Sequence, residues 1–322
     1  MKKIRDSILI APQVAPYLPY QEEYKKIPKN IFEPVQQTNI QLTESQRQQI
    51  KYYAKLCQVL EFGDFTDGKQ FVSNILASQD QKRKDRTQMI LQRLAVLGIQ
   101  STNVKILSPD RQDNMPAFVS FEIQNQLITV IDQDFASNVV TNSPLVPVQT
   151  FYASQVYLTQ ANTILTTISP YLNNNTPVFT GKGHGASIAQ VLVRMLQEKA
   201  AVGTVFGPAP VFDLMTANIL SQNVLTVVMK NDPLPRLSKH ALSVLDSRIN
   251  CIKYKGEQIN TEKLSQMIST GNDQFVGGYI LLVTPNGVGY DLSCAEKHQI
   301  AEYFVDFVVD EQNVYWKMVE KI

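Results

Sequence analysis

Gly181-Lys182-Gly183-His184-Gly185 has the spacing of a turn that, in its G-x-S-x-G form, lifts a nucleophilic serine between a strand and a helix. The first and last glycines are in place, and Gly183 holds the middle position. Glycine has neither hydroxyl nor thiol, so this position cannot attack a carbonyl. Three neighbours carry chemistry of their own. Lys182 is an amine that becomes a nucleophile only when desolvation removes its proton. His184 is either a base for a water molecule or a packed side chain filling space beside the turn. Ser187 carries a hydroxyl, but its place in the first turn of the following helix directs it away from the tip. Glycine-rich turns also hold phosphates; the G-x-x-x-x-G-K-[ST] pattern is not met, because Lys182 precedes the later glycines.

The elements that must position this turn are legible on both sides of it. Val178-Phe179-Thr180 is a β-branched and aromatic run suited to a buried strand. From Ser187 to Gln197 the chain has neither Pro nor Gly, and Ile188, Val191, Leu192, Met195 and Leu196 recur at helical spacing. Further short apolar runs at Val202–Phe206, Val224–Val228 and Tyr279–Val283 alternate with helical patterns, which predicts a mostly parallel sheet with covering helices. The sheet is expected to begin at Pro116, with strands Phe118–Ile123 and Leu127–Ile131 around a Gln124-Asn125-Gln126 hairpin turn. A helix is expected from Phe151 to Tyr171, a hairpin turn over Tyr254–Gln258 and a closing helix over Ala295–Val309. Upstream, Thr43-Glu44-Ser45-Gln46 reads as a capping box ahead of Ile50, Tyr53, Ala54, Cys57 and Leu60. Two more helices are expected, over 67–78 and 86–97. The basic run Gln81–Arg86 reads as a solvated helix start or loop.

Read with its flanks, the segment resembles the class 3 (fungal-type) lipase family, whose turn reads T-G-H-S-L-G-G-A. Thr180, Gly181 and Gly185 match; Lys182 stands for the family's His, Gly183 for its Ser and His184 for its Leu. Four further blocks follow the family's order. They are Val148-Gln149-Thr150-Phe151-Tyr152 (V-H-x-G-F, with Gln149 for His), Thr204–Pro210 (T-F-G-x-P), Val227–Leu237 (V-N-x-x-D-x-V-P-x-L-P) and Lys297–Tyr303 (D-H-x-x-x-x-Y). The resemblance spans Pro116 to about Phe307. It implies an α/β-hydrolase fold: a mostly parallel central sheet with helices on both faces. It also implies that Gly183, Asp232 and His298 occupy the nucleophile, acid and histidine positions of a triad. Asp232 and His298 would meet as an acid-oriented imidazole, but with no hydroxyl at Gly183 there is nothing for the imidazole to deprotonate. The family's R-G-T, which helps stabilise the oxyanion, is replaced by Asp132-Gln133-Asp134. Two carboxylates there would oppose a developing negative charge. These departures predict a catalytically inactive lipase-like protein serving as a structural or accessory subunit of a larger assembly. Two other readings stand beside it: a lipid- or acyl-binding module that keeps the pocket, and an ester hydrolase that works without a serine.

Composition agrees with that fold and excludes other classes. The chain has 322 residues, 44% of them apolar, and a formal net charge of +1, so it has a full core and no field for nucleic acid. Cys57, Cys251 and Cys294 are isolated, and no cofactor or metal motif occurs. No apolar run approaches the ~20 residues a membrane helix requires. Together with the lack of a secretory signal, the isolated thiols predict an intracellular protein, cytoplasmic or associated with an organelle or the cytoskeleton. Two units are expected: an arm over 1–40, and a domain over 41–322 with a helical part (41–115) and a sheet-bearing core (116–322). The arm carries Pro12, Pro16, Pro19, Pro28 and Pro34 among Tyr17, Tyr20 and Tyr24, a pattern that disfavours helix. It reads either as a disordered tail or as an extended segment laid along a protein partner or along the protein's own surface, with a lipid as a further ligand of the domain.

Overall fold

The computed structural model describes residues 42–60, 79–111, 115–133, 143–229, 234–236, 274–284 and 287–292. The arm, the helix expected at 67–78, Asp134, Asp232, the hairpin turn at 254–258, Cys251, Cys294, the helix expected at 295–309 and His298 lie outside the described residues.

Among the described residues, chain order begins with two helices, α1 (Glu44–Leu60) and α2 (Gln79–Val96). The capping box forms: the Gln46 amide donates to Thr43 Oγ1 at 3.3 Å, and the Thr43 amide donates to Gln46 Oε1 at 2.9 Å. Strands β1 (Val104–Ser108), β2 (Ala117–Ile123) and β3 (Gln126–Gln133) form an antiparallel meander. Gln124 and Asn125 both take positive φ, 48° and 61°, giving the two-residue turn whose twist matches its strands. The sheet therefore starts at Val104 and not at Pro116. All five β1 residues are half-buried, so they show no alternation to betray a strand.

A separate hairpin follows, β4 (Leu145–Val148) with β5 (Phe151–Ser154). The helix expected from Phe151 thus begins only at Gln155, as α3 (Gln155–Ile168). Pairing of Phe151–Ser154 with Leu145–Val148, and a Ser154 amide bond to Val211 O at 2.8 Å, hold this run extended against its helical pattern. Then come β6 (Thr176–Gly183), α4 (His184–Met195), β7 (Val202–Phe206), the short α5 (Leu214–Ile219), β8 (Val224–Met229), β9 (Tyr279–Thr284) and β10 (Gly287–Leu292).

The described strands make one eight-stranded sheet in the order β1-β2-β3-β6-β7-β8-β9-β10. Pairings from β3 to β9 are parallel, and the edge pairings are antiparallel. Alternate side chains enter two cores. Phe118, Leu127, Ile131, Phe179 and Val205 pack with α3 and α4 on one face; Val119, Ile128, Val130, Val178 and Phe206 pack with α1 and α2 on the other. α2 starts seven residues before the expected Arg86, and the basic run lies within it. Arg83 is solvated, but Arg86 is buried at 8% exposure, its guanidinium 3.7 Å from Asp110. In α4, all ten residues from His184 to Val193 are buried, so this helix is a core element with no solvated stripe. Leu56 on α1 is fully buried in the second core. Leu56→Ala is expected to lower unfolding free energy by about 3 kcal/mol, measured by urea denaturation.

Candidate functional site

At the C-terminal edge of the sheet, β6 runs straight into α4 with no loop between Gly183 and His184. Gly183 absorbs the reversal with φ 58° and ψ −124°, a region that side-chain-bearing residues enter only under strain. The turn presses three backbones together. A Cβ on Gly181 would stand 2.6 Å from the Gly185 carbonyl carbon and 2.8 Å from Ile131 O; a Cβ on Gly185 would overlap Ile131 O itself. Gly183 differs: among the described residues its Cβ would meet only Leu234 Cδ2, at 3.4 Å. The outer glycines are sterically required, whereas at the tip the described residues leave room for a side chain and none is present.

The sequence-predicted neighbours come together around this tip. Register places Asp132 opposite Lys182 and Gln133 opposite Gly183, so the end of β3 flanks the turn. His184 is buried, its Nδ1 2.8 Å from the Tyr157 hydroxyl on α3, and the two rings stack at 6.0 Å. Ser187 is turned inward, donating toward Ala209 O at 3.1 Å with Gly183 O at 3.5 Å. Its hydroxyl therefore lies among partners beneath the tip, the two backbone carbonyls and the Tyr157 phenol. Burial pushes the Tyr157 phenol well above the usual tyrosine range, a shift that hydrogen bonding with Ser187 partly opposes.

The end of β3 corrects one expectation. Asp132 does not present an uncompensated charge: its carboxylate accepts two bonds from Arg111, Nε at 2.8 Å and a terminal nitrogen at 2.7 Å. With Asp132 only 14% exposed, this two-pronged, charge-assisted pair fixes the strand end. Burial pushes the nearby Arg86 guanidinium down to about 10, against the opposing pull of Asp110 and Asp132. Gln133 is buried and donates to Gln160 Oε1 on α3 at 3.2 Å. Sequence reasoning missed Arg111 and Tyr157, since nothing in their local spacing links them to Asp132 or His184. Among the described residues no group of three or more His, Cys, Asp or Glu could hold a metal ion, and no helix is long and apolar enough to cross a membrane.

The parallel sheet covered by helices on both faces, with a glycine elbow at the C-terminal end of a central strand, defines an α/β-hydrolase fold. No protein-family model and no curated protein sequence matches the chain. Among solved structures, it is similar to a fungal lipase in an inhibitor complex described as a model for interfacial activation. That similarity has TM-score 0.49 and 11% identity, and covers 86% of this chain and 98% of the other. A propeptide complex of Rhizomucor miehei lipase gives TM-score 0.46 and 11% identity, over 81% and 78% of the two chains. A Yarrowia lipolytica lipase gives 0.46 and 12%, over 80% and 87%. Strand order and the glycine elbow define this fold independently of those similarities.

Two outcomes follow from the geometry. By thermal and urea unfolding, Gly185→Ala and Gly181→Ala should each cost about 3 kcal/mol or more through backbone overlap. Gly183→Ala should cost only about 1–2 kcal/mol of φ strain. The Tyr157 phenol is raised in the folded state, so the stability of its neutral form is complete below the ordinary value near 10 and is lost as pH rises above it. Unfolding free energy should therefore fall above about pH 10 by up to ~1.4 kcal/mol per pH unit, a fall reduced in Tyr157→Phe.

Proposed function

We propose that this chain is a catalytically inactive relative of the lipases that keeps its elbow for shape and serves as a structural or accessory subunit of a larger intracellular assembly. The observation that carries this reading is Gly183: an elbow residue at backbone angles strained for any side-chain-bearing residue, with space for a side chain among the described residues and no attacking atom. Two more features support it. The Ser187 hydroxyl is engaged below the tip. The strand end that would stabilise an oxyanion is instead tied into the Arg111–Asp132 ion pair. In this reading Gly183, Asp232 and His298 are the vestiges of a triad, and the arm over 1–40 reaches the protein partner through its Pro12–Tyr24 stretch.

The test is ester hydrolysis by the full-length chain on short- and long-chain glycerol and p-nitrophenyl esters, beside Asp232→Asn and His298→Ala. Turnover should not exceed buffer in any of the three; turnover in the parent that both substitutions abolish would overturn the proposal. Gly183→Ser should fold, at a strain cost of about 1–3 kcal/mol, and remain inactive. Hydrolysis by that variant would mean that the nucleophile was the one missing part.

A further inference from the structure

A second concavity lies at the opposite, N-terminal edge of the parallel strands, away from the elbow. It is a groove of about 410 Å³ walled by the starts of β7, β8 and β9 and by the first turns of α1. Its apolar lining includes Leu42, Tyr53, Val202 and Tyr279, and Val202 and Tyr279 stay 39% and 38% exposed. Its polar lining is amide-rich, with Gln46, Gln49, Gln222 and Asn223, and none of the described lining residues is charged.

We propose that this groove is the docking site of the chain's own segment 31–41, Ile31-Phe32-Glu33-Pro34-Val35-Gln36-Gln37-Thr38-Asn39-Ile40-Gln41. Three observations select this occupant. Leu42, the first described residue, itself lines the groove, so the preceding residues leave from its lip. The junction at Leu42 is itself pinned, by the Thr43–Gln46 capping box and by an Arg47 Nε bond to Leu42 O at 3.3 Å. The chemistries also match. The segment holds one charge, Glu33, and four apolar side chains, Ile31, Phe32, Val35 and Ile40, besides Pro34. Pro34 biases Glu33 toward an extended backbone. An extended backbone leaves N–H and C=O groups to satisfy, and Gln and Asn side chains both donate and accept. Tyrosine-lined grooves are suited to extended proline-containing chains. Tethering at residue 42 supplies an effective concentration on the order of millimolar, so even a weak contact is occupied. The inference holds whether or not the elbow catalyses.

A photoreactive benzoylphenylalanine placed at position 279, and separately at exposed position 222, tests the proposal in dilute full-length protein, with adducts mapped by peptide mass spectrometry. The expected result from either position is an adduct within the chain on the peptide containing residues 31–41, reduced several-fold by Val202→Lys at the lip. Adducts confined to other segments, adducts only between chains, or no adduct from either position would overturn it.

Discussion

Three backbones meet at the elbow more closely than any side chain would allow. Gly181 in β6, Gly185 in α4 and the Ile131 carbonyl in β3 leave no volume for a Cβ at either glycine. That contact decides how α4 leaves the sheet, and α4 is the helix on which one of the two cores is built. It also holds the end of β3 against the turn, which sets Asp132 and Gln133 beside Lys182 and Gly183. The reversal needs one residue at positive φ, and a glycine at that residue removes the strain a side chain would add. The elbow is thus the scaffold's own requirement, separable from any chemistry done at its tip.

Around the tip, several of the described polar groups are directed into the protein. Tyr157 engages His184, Ser187 faces Ala209 O, Gln133 meets Gln160, and Asp132 is clasped by Arg111. Buried polar groups satisfied in this manner stiffen their surroundings. A reactive centre needs the reverse, with donors and a base aimed outward at a substrate. The proposed structural role follows from that orientation as much as from the missing hydroxyl.

Much of the fold was legible because its signals are local. The capping box at Thr43, the Gln124-Asn125 turn and the apolar runs of β6 to β9 depend on neighbours within a few residues, and each forms as read. Signals failed where pairing overrode pattern. Phe151–Ser154 has a helical continuation but a strand partner, and β1 sits half-buried at the sheet edge without alternation. At the site, the glycines announced the turn, yet the Arg111–Asp132 pair changed its electrostatics. That contact spans 21 positions and leaves no periodic trace, and Tyr157 with His184 spans 27. Long-range polar contacts of this kind belong to the tertiary structure alone.

The central claim is that the elbow carries shape without a nucleophile. Intact-mass and peptide spectrometry of the full-length chain after exposure to a long-chain fluorophosphonate tests it most directly. The account predicts an unmodified chain. A stoichiometric adduct on Lys182, His184 or Ser187 would contradict it.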